Sequence, residues 1–320
     1  MQSEEEVETY SNTNIVLIVY IITFLIGFPF YIMAFYTFIK KMRQKATPID
    51  ALLLNLTISD LIFLLVLPFK MKEARDNMKW NLPSFLCPLT RFAFHTTIYN
   101  STLFLTAVSV DRYLAVAFPI KYKLKRRPLY PMVASGFFWL ISMGHVSIVY
   151  FMQYFENFNT NTTQAGLARC YQNFTQEQMQ VLMPVRLEVF VVLFYVPFFI
   201  CCFCYMNFVR ILSQMPNINP WMRLRAIGLS LGTLLVFAVC FAPFSLSHLM
   251  GFIQWECLSS TINACLDPII FYLSSSAFSD TVHHLLRSMV QRVLWLWGSC
   301  TDLYSRTQDN PPSAQVPMTT

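Results

Sequence analysis

Long apolar runs alternate with short polar segments along most of the chain. A helix needs about 20 apolar residues to cross the hydrocarbon core of a bilayer. Backbone groups at that depth must be hydrogen-bonded within the segment, which favours helices over open strands. The pattern therefore predicts an all-α membrane protein, a seven-transmembrane helix bundle. The predicted spans, numbered 1 to 7 in chain order, are 15–39, 49–71, 84–117, 129–152, 184–213, 223–253 and 256–274.

The pattern changes after span 7. From Phe278 to Trp297, apolar residues are interleaved with histidines and arginines, which is typical of an amphipathic helix lying on a membrane surface. Cys300 follows this segment and is either a palmitoylation site or an ordinary free thiol. The last residues are polar and contain prolines, so we expect disorder there. The predicted organisation is an N-terminal segment at 1–14, a seven-span domain at 15–275, a short amphipathic eighth helix at 276–298 and a disordered tail at 299–320.

Composition agrees with a membrane protein. Hydrophobic residues make up 55% of the chain and charged residues only 12%, about half the charge of a typical soluble domain. The sequence contains no internal repeat, which argues against transporter folds built from duplicated halves. It also contains no arrangement of a nucleophile with a general base, so we expect no enzymatic activity. No sequence feature indicates a nucleic-acid partner.

Charge and glycosylation signals predict the orientation. The N-terminal segment is acidic, whereas basic residues cluster in the 1–2 and 3–4 loops and at the start of span 6. The positive-inside rule places these basic segments in the cytoplasm and the N-terminus outside a plasma membrane. The sequons at Asn161 and Asn173 then fall in the outer 4–5 loop, where glycosylation is expected. Cys87 and Cys170 also lie outside the cell and are expected to form a disulfide.

Ionisable residues inside spans are costly and therefore suggest function. Asp60 and Asp267 lie in the middle of spans 2 and 7, and Ser101 and Asn263 can face the same interior. Oxygen ligands of this kind suit a sodium ion, and the alternative is a hydrogen-bonded network without an ion. At the cytoplasmic end of span 3, an ion pair between Asp111 and Arg112, next to Tyr113, can act as a two-state switch.

Four basic groups in the outer half of the bundle, which have no obvious acidic partner in the sequence, predict an anionic ligand. One alternative is that Arg186 pairs with Glu188 or with a loop acid, Glu177 or Glu156, and another is that His145 has only a structural role. The four groups are Arg91, His145, Arg186 and His248.

A further basic cluster falls in the outer 2–3 loop, offset only by Glu73 and Asp76. It is a contact with lipid headgroups, a solvated face, or a surface that attracts an anionic ligand. Its members are Lys70, Lys72, Arg75 and Lys79.

Five motifs in order across the spans make the chain resemble a rhodopsin-like (class A) G-protein-coupled receptor. They are Asp60 at the end of Asn55-Leu56-Thr57-Ile58-Ser59-Asp60, then Asp111-Arg112-Tyr113, Trp139, Cys240-Phe241-Ala242-Pro243 and Asp267-Pro268-Ile269-Ile270-Phe271.

Other stretches are similar to the short-chain free fatty acid receptors. This resemblance implies that Arg186 binds a carboxylate with His248 and His145 nearby, and that the receptor couples to inhibitory or phospholipase-activating G proteins. Arrestin is a further expected partner. The stretches include Leu67-Pro68-Phe69-Lys70, Arg126-Arg127-Pro128-Leu129-Tyr130, Ser142-Met143-Gly144-His145, Met183-Pro184-Val185-Arg186-Leu187-Glu188 and Ser247-His248-Leu249.

The chain also departs from that family. Tyr31 stands where an asparagine is usual, and His95 replaces an aromatic hydroxyl in the ligand-binding region, which also includes Tyr99. A second arginine near the start of span 7 is missing, and Arg91 is our candidate to replace it. Only 25 positions separate Pro243 from Pro268, so the 6–7 loop is about ten residues shorter than the resemblance implies.

The sequence therefore predicts a plasma-membrane receptor for small carboxylates. Three alternatives stay open at this point. The first is a class A receptor for another anion, such as a nucleotide, a longer fatty acid or a peptide carboxylate. The second is a small-carboxylate transporter, and the third is a non-signalling product of the shortened 6–7 loop.

Overall fold

The structure, a computed structural model, describes residues 2–45, 47–77, 79–83, 85–125, 129–159, 176–215, 220–243, 266–272 and 275–309. Within these ranges the chain is helical almost throughout and contains no strand. Spans 1 to 4 are the helices Gln2–Lys45, Pro48–Arg75, Leu86–Ala117 and Leu129–Asn159. Span 5 comprises Gln176–Phe190, Val191–Tyr195 and Val196–Gln214; span 6 comprises Pro220–Val236 and Phe237–Phe241, and 266–272 belongs to span 7.

Several helices are longer than the apolar pattern predicts. Span 1 begins at Gln2, so the expected N-terminal segment is itself helical, and its glutamates are good helix formers. The C-terminal helix Ser276–Asp309 continues past the predicted boundary at 298. It ends just before Pro311, and the residue preceding a proline is disfavoured in helical conformation. Residues 299–309, expected to be disordered, are therefore helical.

The turn between spans 1 and 2 is closed by a buried carboxylate. Asp50 accepts a hydrogen bond from the Thr47 backbone N–H at 3.1 Å, which caps the start of span 2. The ammonium group of Lys41, at the end of span 1, lies 2.7 Å from the same carboxylate. One of the basic residues assigned to the cytoplasmic side thus also orients two helices.

Spans 5 and 6 each contain a wide, π-helical turn followed by a proline. The turns are Val191–Tyr195 and Phe237–Phe241, and the prolines are Pro197 and Pro243. A proline lacks the N–H that would reach the carbonyl four residues earlier, and its ring clashes with that carbonyl. Counting back four residues from each proline reaches a position inside the π-helical turn. We therefore attribute both irregularities to proline.

The described helices differ in how apolar they are. Within the described residues, four helices are long and apolar enough to cross a membrane: Thr13–Gln44, Pro48–Arg75, Leu129–Ile148 and Met183–Gln214. Span 3 is more polar because half of its residues are buried among other helices, many of them serine and threonine. Spans 6 and 7 are described only in part.

An aromatic cluster joins span 1, span 7 and the C-terminal helix. The Phe271 ring lies 5.7 Å from the Phe38 ring and 6.1 Å from the Phe278 ring, both edge-on. Tyr31 packs edge-on against the same Phe271 ring at 5.9 Å. Such aromatic pairs contribute about 0.5–1.5 kcal/mol beyond their buried area. The cluster therefore anchors the start of the C-terminal helix against the bundle.

Candidate ligand and switch sites

Two basic residues at the outer ends of spans 2 and 3 share one buried carboxylate. The Glu73 carboxylate lies 2.8 Å from Lys70 Nζ and 3.0 Å from Arg91 Nη2. The three side chains are between 1% and 6% exposed, and Lys70 also lies 5.3 Å from the centre of the Phe94 ring. The interpretation of the basic cluster as a solvated face is therefore wrong for Lys70, which is buried in span 2. The expectation that Arg91 lacks an acidic partner is also wrong.

The arrangement of this triad explains why the sequence pattern missed it. Glu73 is the i+3 neighbour of Lys70 on span 2, so the two side chains lie on one face of the helix. A charged pair buried this deeply is stable only when it is well hydrogen-bonded, and removal of one partner is costly. Arg91 reaches the pair across the contact between spans 2 and 3, which local spacing does not reveal.

His145 in span 4 also has an acidic partner. Its Nε2 lies 2.8 Å from Glu188 Oε1 in span 5, and its Nδ1 lies 2.8 Å from the Ile141 carbonyl oxygen. Both ring nitrogens of His145 thus face an oxygen atom within hydrogen-bonding distance. The expectation that His145 lacks an acidic partner is therefore wrong. Glu188, considered above as a partner for Arg186, contacts His145 instead.

Arg186 and Glu188 lie on different sides of span 5. Residues two positions apart on a helix do not face each other, because successive side chains rotate by about 100°. Arg186 is partly buried, whereas the Glu188 side chain is 47% exposed. The side of span 5 that carries Arg186 therefore does not face the contact between Glu188 and His145.

Span 3 carries three ligand candidates along one face. Arg91, His95 and Tyr99 follow one another at intervals of four residues, which aligns their side chains. All three are at least 90% buried. The His95 Nδ1 atom lies 2.9 Å from the Arg91 carbonyl oxygen, and its ring packs edge-on against Phe94. This face thus presents polar groups to the interior of the outer half.

The interior carboxylates lie together as predicted. Asp60 and Asp267 are almost fully buried and interact with each other, and the Ser101 hydroxyl lies 3.3 Å from Asp60 Oδ1. The Tyr31 side chain lies close enough to Asp60 to interact with its carboxylate. The sequence marked Tyr31 only as a departure from the family pattern, whereas the structure makes it part of this network. These oxygen atoms are of the type that binds a hard cation.

The switch region contains a partner that the sequence analysis missed. The Tyr122 hydroxyl lies 3.0 Å and 2.9 Å from the two carboxylate oxygens of Asp111. Tyr122 lies on the short helix Pro119–Lys125, in the loop after span 3, and that loop was not predicted to be helical. Tyr113 packs edge-on against Phe203 of span 5. The ion pair between Asp111 and Arg112 stays a prediction.

A cavity of about 10 Å³ lies between the inner halves of spans 3, 5 and 6. This is about the smallest space that holds one water molecule. Its polar lining includes Ser109, Tyr205 and Ser230, together with the thiols of Cys201 and Cys204. Polar as well as apolar side chains therefore line the space between the three spans at this level.

Cys87 is disulfide-bonded, as expected. The described free thiols are Cys201, Cys202, Cys204 and Cys240. Cys300 lies within the C-terminal helix Ser276–Asp309. The shortened 6–7 loop falls outside the described residues. The same is true of five predicted positions, which are Cys170, Asn161, Asn173, His248 and Asn263.

Comparison with known proteins decides the family. The model of the 7 transmembrane receptor (rhodopsin family) matches residues 32–278, well over half of the chain. The chain belongs to this family. It is therefore a seven-span receptor of the plasma membrane that couples to G proteins and binds a small molecule, and it is not an enzyme.

Similar relatives are named as receptors for free fatty acids. The receptor is 41% identical to free fatty acid receptor 3 of Rattus norvegicus, over 91% of this chain and 93% of the relative. It is 45% identical to free fatty acid receptor 2 of Mus musculus, over 83% of each. With free fatty acid receptor 3 of Homo sapiens, 42% identity extends over 88% of this chain and 81% of the relative.

Proposed function

We propose that the receptor binds a short-chain fatty acid, or a carboxylate of similar size, in the outer half of its helix bundle. The observation that carries this proposal is the set of buried and partly buried basic side chains at the outer ends of spans 2 to 5, in a chain similar to proteins named for free fatty acids. A guanidinium group can bind a carboxylate through two parallel hydrogen bonds.

Arg186 is the proposed anchor for the ligand carboxylate. Glu188, its nearest acid on span 5, faces another side and contacts His145. His248, His95 and Tyr99 complete the proposed pocket. His145 joins it when the ligand carboxylate replaces Glu188 as its partner, because one Nε2–H cannot make two full hydrogen bonds. Ligand affinity then includes the cost of breaking the Glu188 contact.

Arg91 is a weaker substitute for the missing second arginine than the sequence indicates. Its guanidinium lies 3.0 Å from Glu73, so a ligand carboxylate must share Arg91 with that acid. The triad of Lys70, Glu73 and Arg91 has one more positive charge than negative charge, which still favours an anion nearby. We therefore assign Arg91 a supporting electrostatic role.

Ligand binding is proposed to shift the population of an inner-face state through Asp111, Arg112 and Tyr113. The proposed partners are inhibitory or phospholipase-activating G proteins, followed by arrestin.

The N-terminus is proposed to lie outside, where Asn161 and Asn173 accept glycans and Cys87 pairs with Cys170. Cys300 is the proposed palmitoylation site. A sodium ion is proposed at Asp60, Ser101, Asn263 and Asp267.

The test is G-protein activation in cells by straight-chain acids from acetate to decanoate, with Arg186→Ala beside the unchanged receptor. Hydrogen bonds to charged groups contribute about 1.5–3 kcal/mol, so we expect potency to fall about 10- to 150-fold. Arg75→Ala, at an exposed arginine on the same side of the membrane, is the matched control. Surface expression is measured for all variants.

Chain length separates the carboxylate classes. A small pocket rejects long acids by steric clash, so we expect activation by the shortest acids and a loss toward decanoate. Activation only by the longest acids would indicate a long-chain receptor instead. Equal responses of Arg186→Ala and the unchanged receptor at normal surface level would contradict the carboxylate anchor.

A further inference from the structure

Spans 3 and 4 meet in a register that brings two polar residues to the same level. The centre of the Phe104 ring in span 3 lies 5.7 Å from that of Phe138 and 6.5 Å from that of Trp139 in span 4. The two helices are antiparallel in a seven-span bundle of this family. Four residues before Phe104 and four after Phe138 therefore lie about 6 Å further out on each helix. These positions are Asn100 and Ser142.

Helical spacing and burial place both residues at the contact between the two helices. Asn100 is one turn from Phe104, and Ser142 is one turn from Phe138, so each lies on the face that carries the contacting ring. Neither residue has any exposed surface. Thr96, one turn beyond Asn100 on the same face, is 2% exposed.

The polar atoms of these three side chains have no hydrogen-bond partner among the residues that the structure describes. They are Thr96 Oγ1, both amide atoms of Asn100, and Ser142 Oγ. Five other buried hydroxyls on the two spans behave differently, because each donates to a carbonyl oxygen of its own helix. The hydroxyls that do so are Thr97, Ser101, Thr102, Thr106 and Ser135.

Chemical complementarity identifies the ligand that fits this group. Asn100 offers two N–H donors and one acceptor, and each hydroxyl both donates and accepts. A buried water molecule makes two to four hydrogen bonds to such groups and is costly to remove. We propose that Thr96, Asn100 and Ser142 form a binding site for an ordered water molecule between spans 3 and 4.

The position of this site connects it to ligand recognition. Asn100 directly follows Tyr99, and Ser142 lies one helical turn before His145. A water molecule that bridges Asn100 and Ser142 fixes the register of span 3 against span 4. It thereby also fixes the relative positions of two residues in the proposed carboxylate pocket. The water site itself rests on the packing geometry and does not depend on the identity of the ligand.

Thermal unfolding of the purified receptor in detergent tests the site with three apolar replacements: Thr96→Val, Asn100→Leu and Ser142→Ala. If water bridges the groups, each single change leaves the others unsatisfied and lowers the Tm by about 2–4 °C or more. The triple variant leaves no polar group to satisfy, so it recovers most of that loss. Ser135→Ala is the control, since its hydroxyl bonds within its own helix.

Changes in Tm of the opposite sign would overturn the proposal. If the polar atoms are simply unsatisfied, each single replacement raises the Tm, because it removes a buried polar group without a partner. A triple variant whose loss equals the sum of the single losses also contradicts a shared water. These outcomes do not depend on activation by fatty acids, so they are separate from the test of the proposed function.

An experimental structure that resolves ordered waters gives an independent readout on the unchanged receptor. Density about 2.7–3.2 Å from the polar atoms of both Asn100 and Ser142 is the expected result. A direct hydrogen bond between these two side chains, or a contact with no density between them, would overturn the water site.

Discussion

At the scale of single residues, acidic partners change the meaning of the cationic groups. The sequence identified Arg91 and His145 from their type and depth, but the structure pairs Arg91 with Glu73 and His145 with Glu188. A cation that already has a carboxylate partner is less available to a ligand than an isolated one. The two pairs differ in exposure: Glu73 is almost fully buried, whereas half of Glu188 is accessible. Glu188 is therefore the acid that a ligand can displace more easily.

Glu188→Gln is expected to increase the potency of short-chain acids. The amide is a weaker partner for His145, so a ligand carboxylate meets less competition. A half-exposed pair contributes about 0.2–1 kcal/mol, which limits the gain to about fivefold. Glu188→Asp keeps the charge and serves as the control. The gain is expected to vanish when His145→Ala is added, and an equal gain in that background would contradict competition for His145.

At the scale of helical elements, the sequence predicted which helices form better than where they begin and end. Apolar runs located the spans, because lipid exposure requires a long stretch of hydrophobic side chains. The ends of the helices were missed where polar residues continue the helix, as in residues 2–14 and 299–309. The helix Pro119–Lys125 was also missed, since seven residues give too short a pattern.

The π-helical turn in span 5 depends on a hydrogen bond from span 3. Pro197 cannot donate to the Leu193 carbonyl four residues earlier. The Thr102 hydroxyl lies 3.0 Å from that carbonyl oxygen and 2.7 Å from the Tyr99 carbonyl oxygen of its own helix, so its single proton is shared between the two. Thr102→Val keeps the shape of the side chain but removes this donor. We expect a loss of about 1–3 kcal/mol in the free energy of unfolding, measured by thermal unfolding in detergent.

A second variant isolates the cause of that loss. Pro197→Ala restores an N–H group to span 5, so the effect of Thr102→Val is expected to be smaller in that background. Thr97→Val is the matched control, because the buried Thr97 hydroxyl donates to the carbonyl of Phe94 within span 3. If Thr102→Val and Thr97→Val have equal effects with and without Pro197, the link between the two spans is not what stabilises the turn.

At the scale of the whole molecule, contacts between distant parts of the chain were the hardest to predict. The group of Asp60, Ser101 and Asp267 was predicted because intramembrane carboxylates are rare and therefore conspicuous. Tyr31 and Tyr122 were not assigned to their partners, because a tyrosine in an apolar segment gives no local sign of where its hydroxyl points. The triad at the outer ends of spans 2 and 3 was missed for the same reason.

The network around Asp60 provides a test of coupling across the membrane. A sodium ion bound by Asp60, Ser101 and Asp267 would hold spans 2, 3 and 7 in one arrangement, and a ligand that favours another arrangement must then compete with it. We expect sodium chloride to lower the potency of short-chain acids relative to an organic cation at equal ionic strength. Asp60→Asn is expected to abolish this difference.

Membranes that contain the receptor are suited to this measurement, with G-protein activation as the readout and Asp76→Asn as the control. Asp76 lies at the outer end of span 2, away from the interior network, so its variant should keep the sodium effect. An unchanged receptor that responds equally in both salts would favour a hydrogen-bonded network without an ion. In that case the contact of Tyr31 with Asp60 would stabilise the network by itself, and Tyr31→Phe would lower the Tm in either salt.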